Sequence, residues 1–165
     1  MCAPVVGSNL DTWLGVTGRT IADLNTATNN LLDAPDAQEK VTLCTLQTPH
    51  TDHTDTSFEN YGRRMWGYLL PPKTATYTFW ISADDAAEFW LSTDGAFVNK
   101  VKICQVDTCK GPHDYNTDAN QMSVPISLVA EQPYDYEVRS YYTIPVLGSY
   151  WFFVPTSHLP SFHSI

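Results

Sequence analysis

The feature that most constrains this chain is a period of two in its hydrophobic residues, repeated in one short segment after another. In "TYTFWIS" (76–82), Tyr77, Phe79 and Ile81 alternate with Thr76, Thr78 and Trp80. In "AEFWLS" (87–92), Ala87, Phe89 and Leu91 alternate with Glu88, Trp90 and Ser92. Alternate side chains of a strand point to opposite faces, so each segment reads as a strand with one face in a core. "YGRRMWGYLL", "FVNKVKI", "SVPISLV", "YDYEVRSYY" and "SYWFFV" continue the series. Seven or more short strands separated by turn residues predict an all-β, antiparallel sandwich or barrel with short helical turns.

One helix is expected. In "TWLGVTGRTIADL", Thr20 stands three residues ahead of Asp23, the spacing of a capping box with Asp in place of Glu. "NTATNNLLDAPDAQEK" reads as loop, and "TPHTDHTDTSFEN" (48–60) is a polar connection without apolar period. A chain of 165 residues suits one domain. We place it at 1–155, with 156–165 as a tail or linker into a larger chain.

Eighteen acidic against nine basic residues give a net charge of −9, which disfavours nucleic acid and anionic lipid as partners. No apolar run reaches the roughly 18 residues of a membrane span, so no membrane insertion by this segment is expected. The first ten residues lack the basic start and apolar stretch of a signal peptide.

Four cysteines bear on the compartment. Cys104 and Cys109 in "CQVDTC" are close enough to staple one loop, leaving Cys2 for Cys44, and this disulfide reading implies an oxidising, extracellular or cell-surface setting. Zinc is the rival, with Cys44, His50 and His53 in one stretch and Cys104, Cys109 and His113 in another, but the spacings match no compact zinc motif. No N-x-S/T sequon occurs.

Between two of the strand segments lie adjacent carboxylates, Asp84 and Asp85. Like charges side by side repel, and each resists leaving water. A solvated turn, with the carboxylates accepting local N–H groups, is the plain explanation. Hydrolytic chemistry fits poorly, because glycosidase carboxylates face one another across about 5–9 Å from separate elements. No nucleophile elbow is present, and His50, His53, His113, His158 and His163 all fall in loops or the tail. The chain reads as a non-enzyme. "DYNTDAN" places Asp114, Asn116, Asp118 and Asn120 like the start of a calcium loop, but Ala119 replaces the required Gly and Pro125 the bidentate Glu. It reads as a polar loop able to line a ligand mouth. Phe79, Phe89 and Trp66 are expected in the core. Tyr141, Tyr142, Tyr150 and Trp151 flank "TIPVLGS"; at least half of them are expected in the core, and an exposed ring among them could stack on a sugar or a protein.

Three blocks, "YGRRMWGYLLPPKTATYTFWISADDAAEFWLSTDG", "NKVKI" and "QMSVPISLVAEQPYDYEVR", together resemble the PA-fourteen (PA14) domain of anthrax protective antigen, flocculins, bacterial adhesins and fibrocystin-like receptors. The resemblance covers residues 13–142. It implies a β-sandwich that serves extracellular proteins as a ligand-recognition module. In the sugar-binding members the paired aspartates are joined by a cis peptide and hold calcium, which implies Asp84 and Asp85 as metal ligands and calcium as cofactor. The vacant positions of the ion would then take sugar hydroxyls. In those relatives a second, Gly-rich loop adds an Asp or Asn. Here that stretch is "SYYTIPVLGSY", with no carboxylate or amide between Thr143 and Ser149. Candidate ligand-binding residues are therefore Asp114, Asn116, Tyr142, Thr143, Ser149 and Trp151. Three functions follow: calcium-assisted glycan binding in an adhesive surface protein, a structural or protein-interaction module with a degenerate metal site, or an accessory domain of a glycosidase. The partner is a glycan or another extracellular protein.

Overall fold

A strand with a wet face and a dry face needs a second layer to close on, and among the described residues nine strands do so as two antiparallel sheets. The computed structural model describes residues 5–43, 60–111, 114–143 and 150–155. In chain order the elements are β1 (Val5–Trp13), helix α1 (Ile21–Ala27), β2 (Ala37–Leu43), β3 (Tyr61–Leu69), β4 (Ala75–Ser82), β5 (Ala86–Ser92), β6 (Lys100–Val106), β7 (Ile126–Leu128), β8 (Tyr134–Tyr142) and β9 (Tyr150–Pro155). Six strands form one sheet in the order β2-β1-β3-β8-β5-β6, and three form the other, β7-β4-β9.

The predicted all-β sandwich is thus present, and β3, β4, β5, β7, β8 and β9 lie in segments that read as strands, with β6 overlapping a seventh. Four readings need correction. β1 is not among the segments that read as strands, and the start of β2 falls in the segment that reads as loop; on β1 the alternation is masked because polar residues such as Ser8, Asp11 and Thr12 are buried. Phe97–Asn99, expected to be strand, is a 3-10 turn that feeds β6. The disulfide between Cys104 and Cys109 is absent: both are free thiols. Cys104 sits on β6 opposite Phe89, within the core, whereas Cys109 lies beyond the strand end and is exposed, so their side chains part company. Cys2, Cys44, all five histidines and residues 156–165 lie outside the described residues.

The core fills the space between the sheets. Tyr77, Phe79 and Ile81 of β4 meet Phe89 and Leu91 of β5, Met65 and Leu69 of β3, and Tyr134, Tyr136 and Val138 of β8. Phe79 and Phe89 pack edge to face at 5.3 Å, and Phe89 meets Tyr136 likewise at 6.2 Å, geometries that suit the ring quadrupoles. Trp80, on the opposite face of β4, is buried too. The 3-10 turn Ala119–Gln121 and the bridge from Trp80 to Met122 lie beside it, so β4 is dry on both sides.

The outer face of the larger sheet is divided. At one end α1 covers it: Ile21 and Leu24 pack with Trp13, Val16, Leu31, Ala86 and Tyr141. The expected capping box is formed, Thr20 accepting from the Asp23 N–H and Asp23 accepting from the Thr20 N–H at 2.9 Å. Beyond the helix the face is charged. Trp66, Glu137 and Trp90 stand in one register row across β3, β8 and β5. Glu137, only 3% exposed, takes Arg139 at 2.6 Å, Lys100 at 3.0 Å and Arg64 at 3.6 Å. Trp66 is therefore half-buried on this outer face, its indole N–H donated to Asp11 at 2.8 Å, and is not in the core as expected.

Candidate functional site

Asp84 and Asp85 occupy the turn that carries β4 of one sheet into β5 of the other. Ala83 and Ala86, on either side, are buried, while both aspartates are half-buried. The turn is therefore anchored at its base and open at its tip. The peptide joining the two aspartates is cis.

Three chain segments converge on this tip. The end of β8 holds Asp85, whose N–H donates to the Tyr141 carbonyl at 3.1 Å. One carboxylate oxygen, Oδ2, accepts the Thr143 N–H at 2.8 Å and also the Thr143 hydroxyl. The segment after β6 lies alongside: the Lys110 N–H donates to the Ala83 carbonyl at 2.8 Å, and the Ser82 hydroxyl donates to the Gly111 carbonyl at 2.8 Å. These bonds bring the Cys109 thiol to Asp84. The thiol donates to the Asp84 carboxylate, and this bond, with burial and the charges of both aspartates, pushes the thiol up to about 11. Both carboxylates thus act on one neighbouring group. The start of β3 supplies Tyr61, pushed up to about 12 by burial first, then by Tyr142 and more weakly by Asp84.

Of the aromatic candidates, Tyr142 takes the core alternative and is not an open stacking platform. Its ring is 2% exposed and lies on Tyr61 at 4.7 Å, nearly parallel, with the Arg63 guanidinium 4.9 Å over the Tyr61 ring. Tyr141 is buried as well, donating its hydroxyl to the Val16 carbonyl at 3.1 Å. Asp114 and Asn116 are not gathered around the pair by any hydrogen bond among the described residues. Asp114 accepts from the Thr117 hydroxyl at 3.1 Å, and Asn116 is exposed. Ser149 lies outside the described residues. Trp151 is placed by register alone, opposite Ile81 on β9, with its side chain likewise outside them.

Sequence reasoning missed the residue that holds the 114–121 loop in place. Gln121 is fully buried. Its amide donates to the carbonyls of Ile81 at 3.1 Å and Asp114 at 2.5 Å, and its oxygen accepts from the Asp118 N–H and the Thr117 hydroxyl. A Gln at the end of a polar run carries no signal of burial. The role of Cys109 was missed because the disulfide reading had already given it a partner.

As a donor set, the pair offers hard carboxylate oxygens, the kind calcium prefers. Among the described residues neither aspartate is ion-paired to Lys or Arg, and no group of three or more His, Cys, Asp or Glu side chains is arranged around a common centre. The protein side of such a site is small: both oxygens of Asp84, one of them under the thiol, and Oδ1 of Asp85.

Residues 25–144 match the PA14 domain as a family. The chain belongs to the PA14 domain family. Solved structures share this fold at low sequence identity. The A domain of epithelial adhesin 9 from Candida glabrata, in complex with Galβ1-3GlcNAc, superposes with a TM-score of 0.60 at 14% identity, over 96% of this chain and 88% of that one. A PA14 sugar-binding domain from an RTX adhesin gives 0.54 at 13% identity, over 93% and 92%. A β-glucosidase from Kluyveromyces marxianus, in complex with glucose, gives 0.52 at 11% identity, and there the PA14 fold of this chain spans only 15% of the enzyme. A mouse N-acetyl-beta-glucosaminyl-glycoprotein 4-beta-N-acetylgalactosaminyltransferase 1 is 31% identical over 89 residues; this PA14 chain spans 8% of its length.

Proposed function

We propose that this PA14 domain is an extracellular glycan-recognition module that captures sugars through calcium held at Asp84 and Asp85. The observation that carries the reading is the Asp84–Asp85 turn. Two half-buried carboxylates share one end of the sandwich with no Lys or Arg ion-paired to them among the described residues. Calcium takes 6–8 oxygens, so an ion held by Asp84 and one oxygen of Asp85 would keep positions for vicinal hydroxyls of a sugar. The adhesin structures of the same fold, two of them solved with or named for sugars, support a binding role over a catalytic one. They also support placement at a cell surface, which Cys104 and Cys109 no longer argue. The tip is built by loops on a rigid sandwich, the usual setting for recognition. Loops 107–120 and 143–149 would set selectivity, and the domain would act within a larger adhesive protein.

The small donor set favours one second reading, a structural or protein-interaction module whose metal site has decayed. Calorimetry with calcium on the wild type and on Asp84→Ala separates the two. Saturable binding that the substitution abolishes is expected, followed by glycan-array signal that a chelator removes. Silence from both proteins at millimolar calcium would leave the interaction module standing.

A further inference from the structure

We infer that Thr143 is a positioning residue for the cation site, fixing Asp85 so that a single oxygen, Oδ1, faces the ion. This rests on the calcium reading above and adds to it which residue prepares the ligand.

The argument starts from strand register. The last pair between β5 and β8 is Ala86 with Tyr141. One step further, the Asp85 N–H still reaches the Tyr141 carbonyl at 3.1 Å. Just past the end of β8, the Thr143 N–H finds not a main-chain carbonyl but Oδ2 of Asp85 at 2.8 Å. The carboxylate continues the ladder in place of the backbone. The Thr143 hydroxyl donates to the same oxygen. Two donors on one oxygen, with the backbone N–H held as well, leave the side chain little rotamer freedom.

Two consequences follow for a cation. Oδ2 is committed, so Asp85 ligates through Oδ1 alone, which lowers the number of protein oxygens and leaves more positions for an incoming ligand. The carboxylate is also oriented before the ion arrives, and groups that orient a metal ligand in this way change metal affinity by about 10–100-fold when removed. The hydroxyl is the separable part: valine keeps the shape and the main-chain N–H but cannot donate, whereas serine keeps the donor.

The test is calcium calorimetry on the wild type, Thr143→Val, Thr143→Ser and Asp84→Asn, alongside hydrogen exchange in chelator. We expect Asp84→Asn to abolish binding, Thr143→Val to weaken it about 10–100-fold, and Thr143→Ser to restore affinity comparable to wild type. In the absence of calcium, the Thr143 amide should be protected and should lose that protection in Asp85→Ala. If Thr143→Val binds like wild type while Asp84→Asn does not bind, the positioning role is wrong and the calcium reading survives. If the wild type binds no calcium, both fall. An amide at Thr143 that exchanges equally fast with and without the Asp85 carboxylate overturns the clamp, whether or not the valine variant folds.

Discussion

Leu24 of α1 occupies the space that a β-carbon on Gly62 of β3 would need, its Cδ1 lying well inside contact distance of that position. The helix can approach the sheet only because this strand residue has no side chain. Leu24 and the rest of the apolar face of α1 then cover Tyr141, whose backbone carbonyl holds Asp85. Gly62→Ala should therefore destabilise the domain by about 1–3 kcal/mol through overpacking, read as a lower midpoint in urea. Pairing it with Leu24→Ala should recover part of that loss, because the smaller partner gives back the space.

Glu137 governs acid stability. Burial alone would push its carboxyl up, but Arg139, through charge and hydrogen bond, and then Arg64 and Lys100 outweigh burial and hold it below the ordinary carboxylate value. A carboxyl depressed in the folded state contributes stability that is complete above its unfolded pKa and is lost as pH falls through its folded one. Glu137→Gln should cost about 3 kcal/mol at neutral pH, because three cations lose their buried partner. Thermal melts from pH 7 downwards should show the gap between variant and wild type constant until the ordinary carboxylate range, then narrowing.

Cys109 should be exposed yet slow to react. Its thiol, held up to about 11 chiefly by the bond to Asp84, has little thiolate at pH 8. Asp84→Asn removes that charge, and each unit of pKa lost raises the thiolate fraction about tenfold. Alkylation by iodoacetamide, followed by mass spectrometry, should accelerate on the order of tenfold in the variant. Cys104 is buried in the core and should label only on unfolding.

Gln121→Ala should strip four hydrogen bonds from the 114–121 loop and leave the Ile81 and Asp114 carbonyls without this partner. An unmet buried polar group costs about 1–3 kcal/mol. We expect a loss of about 2 kcal/mol in urea unfolding and new protease cleavage within this loop, while the far edge of the larger sheet keeps its exchange protection.

Alternation in "TYTFWIS" and "AEFWLS", the Thr20–Asp23 cap and the vicinal acids are local patterns, and each was legible in the chain because it depends on neighbours a few residues away. The strand content, the sandwich, the helix and the position of the Asp84–Asp85 turn follow from them. Polar residues that end up dry were opaque: Ser8, Asp11, Gln121 and Glu137 are buried because partners elsewhere satisfy them, as the Tyr136 hydroxyl does Ser8 at 2.5 Å. Composition cannot reveal such partners. The surroundings of the site were equally hidden. Thr143 meets Asp85 across 58 residues of chain, Cys109 arrives from the segment after β6 and Tyr61 from the start of β3. Which hydrogen-bond donor reaches which carboxylate is decided by the register of β5 on β8 and of β3 on β8, a long-range property fixed only when the sheets close on their common core.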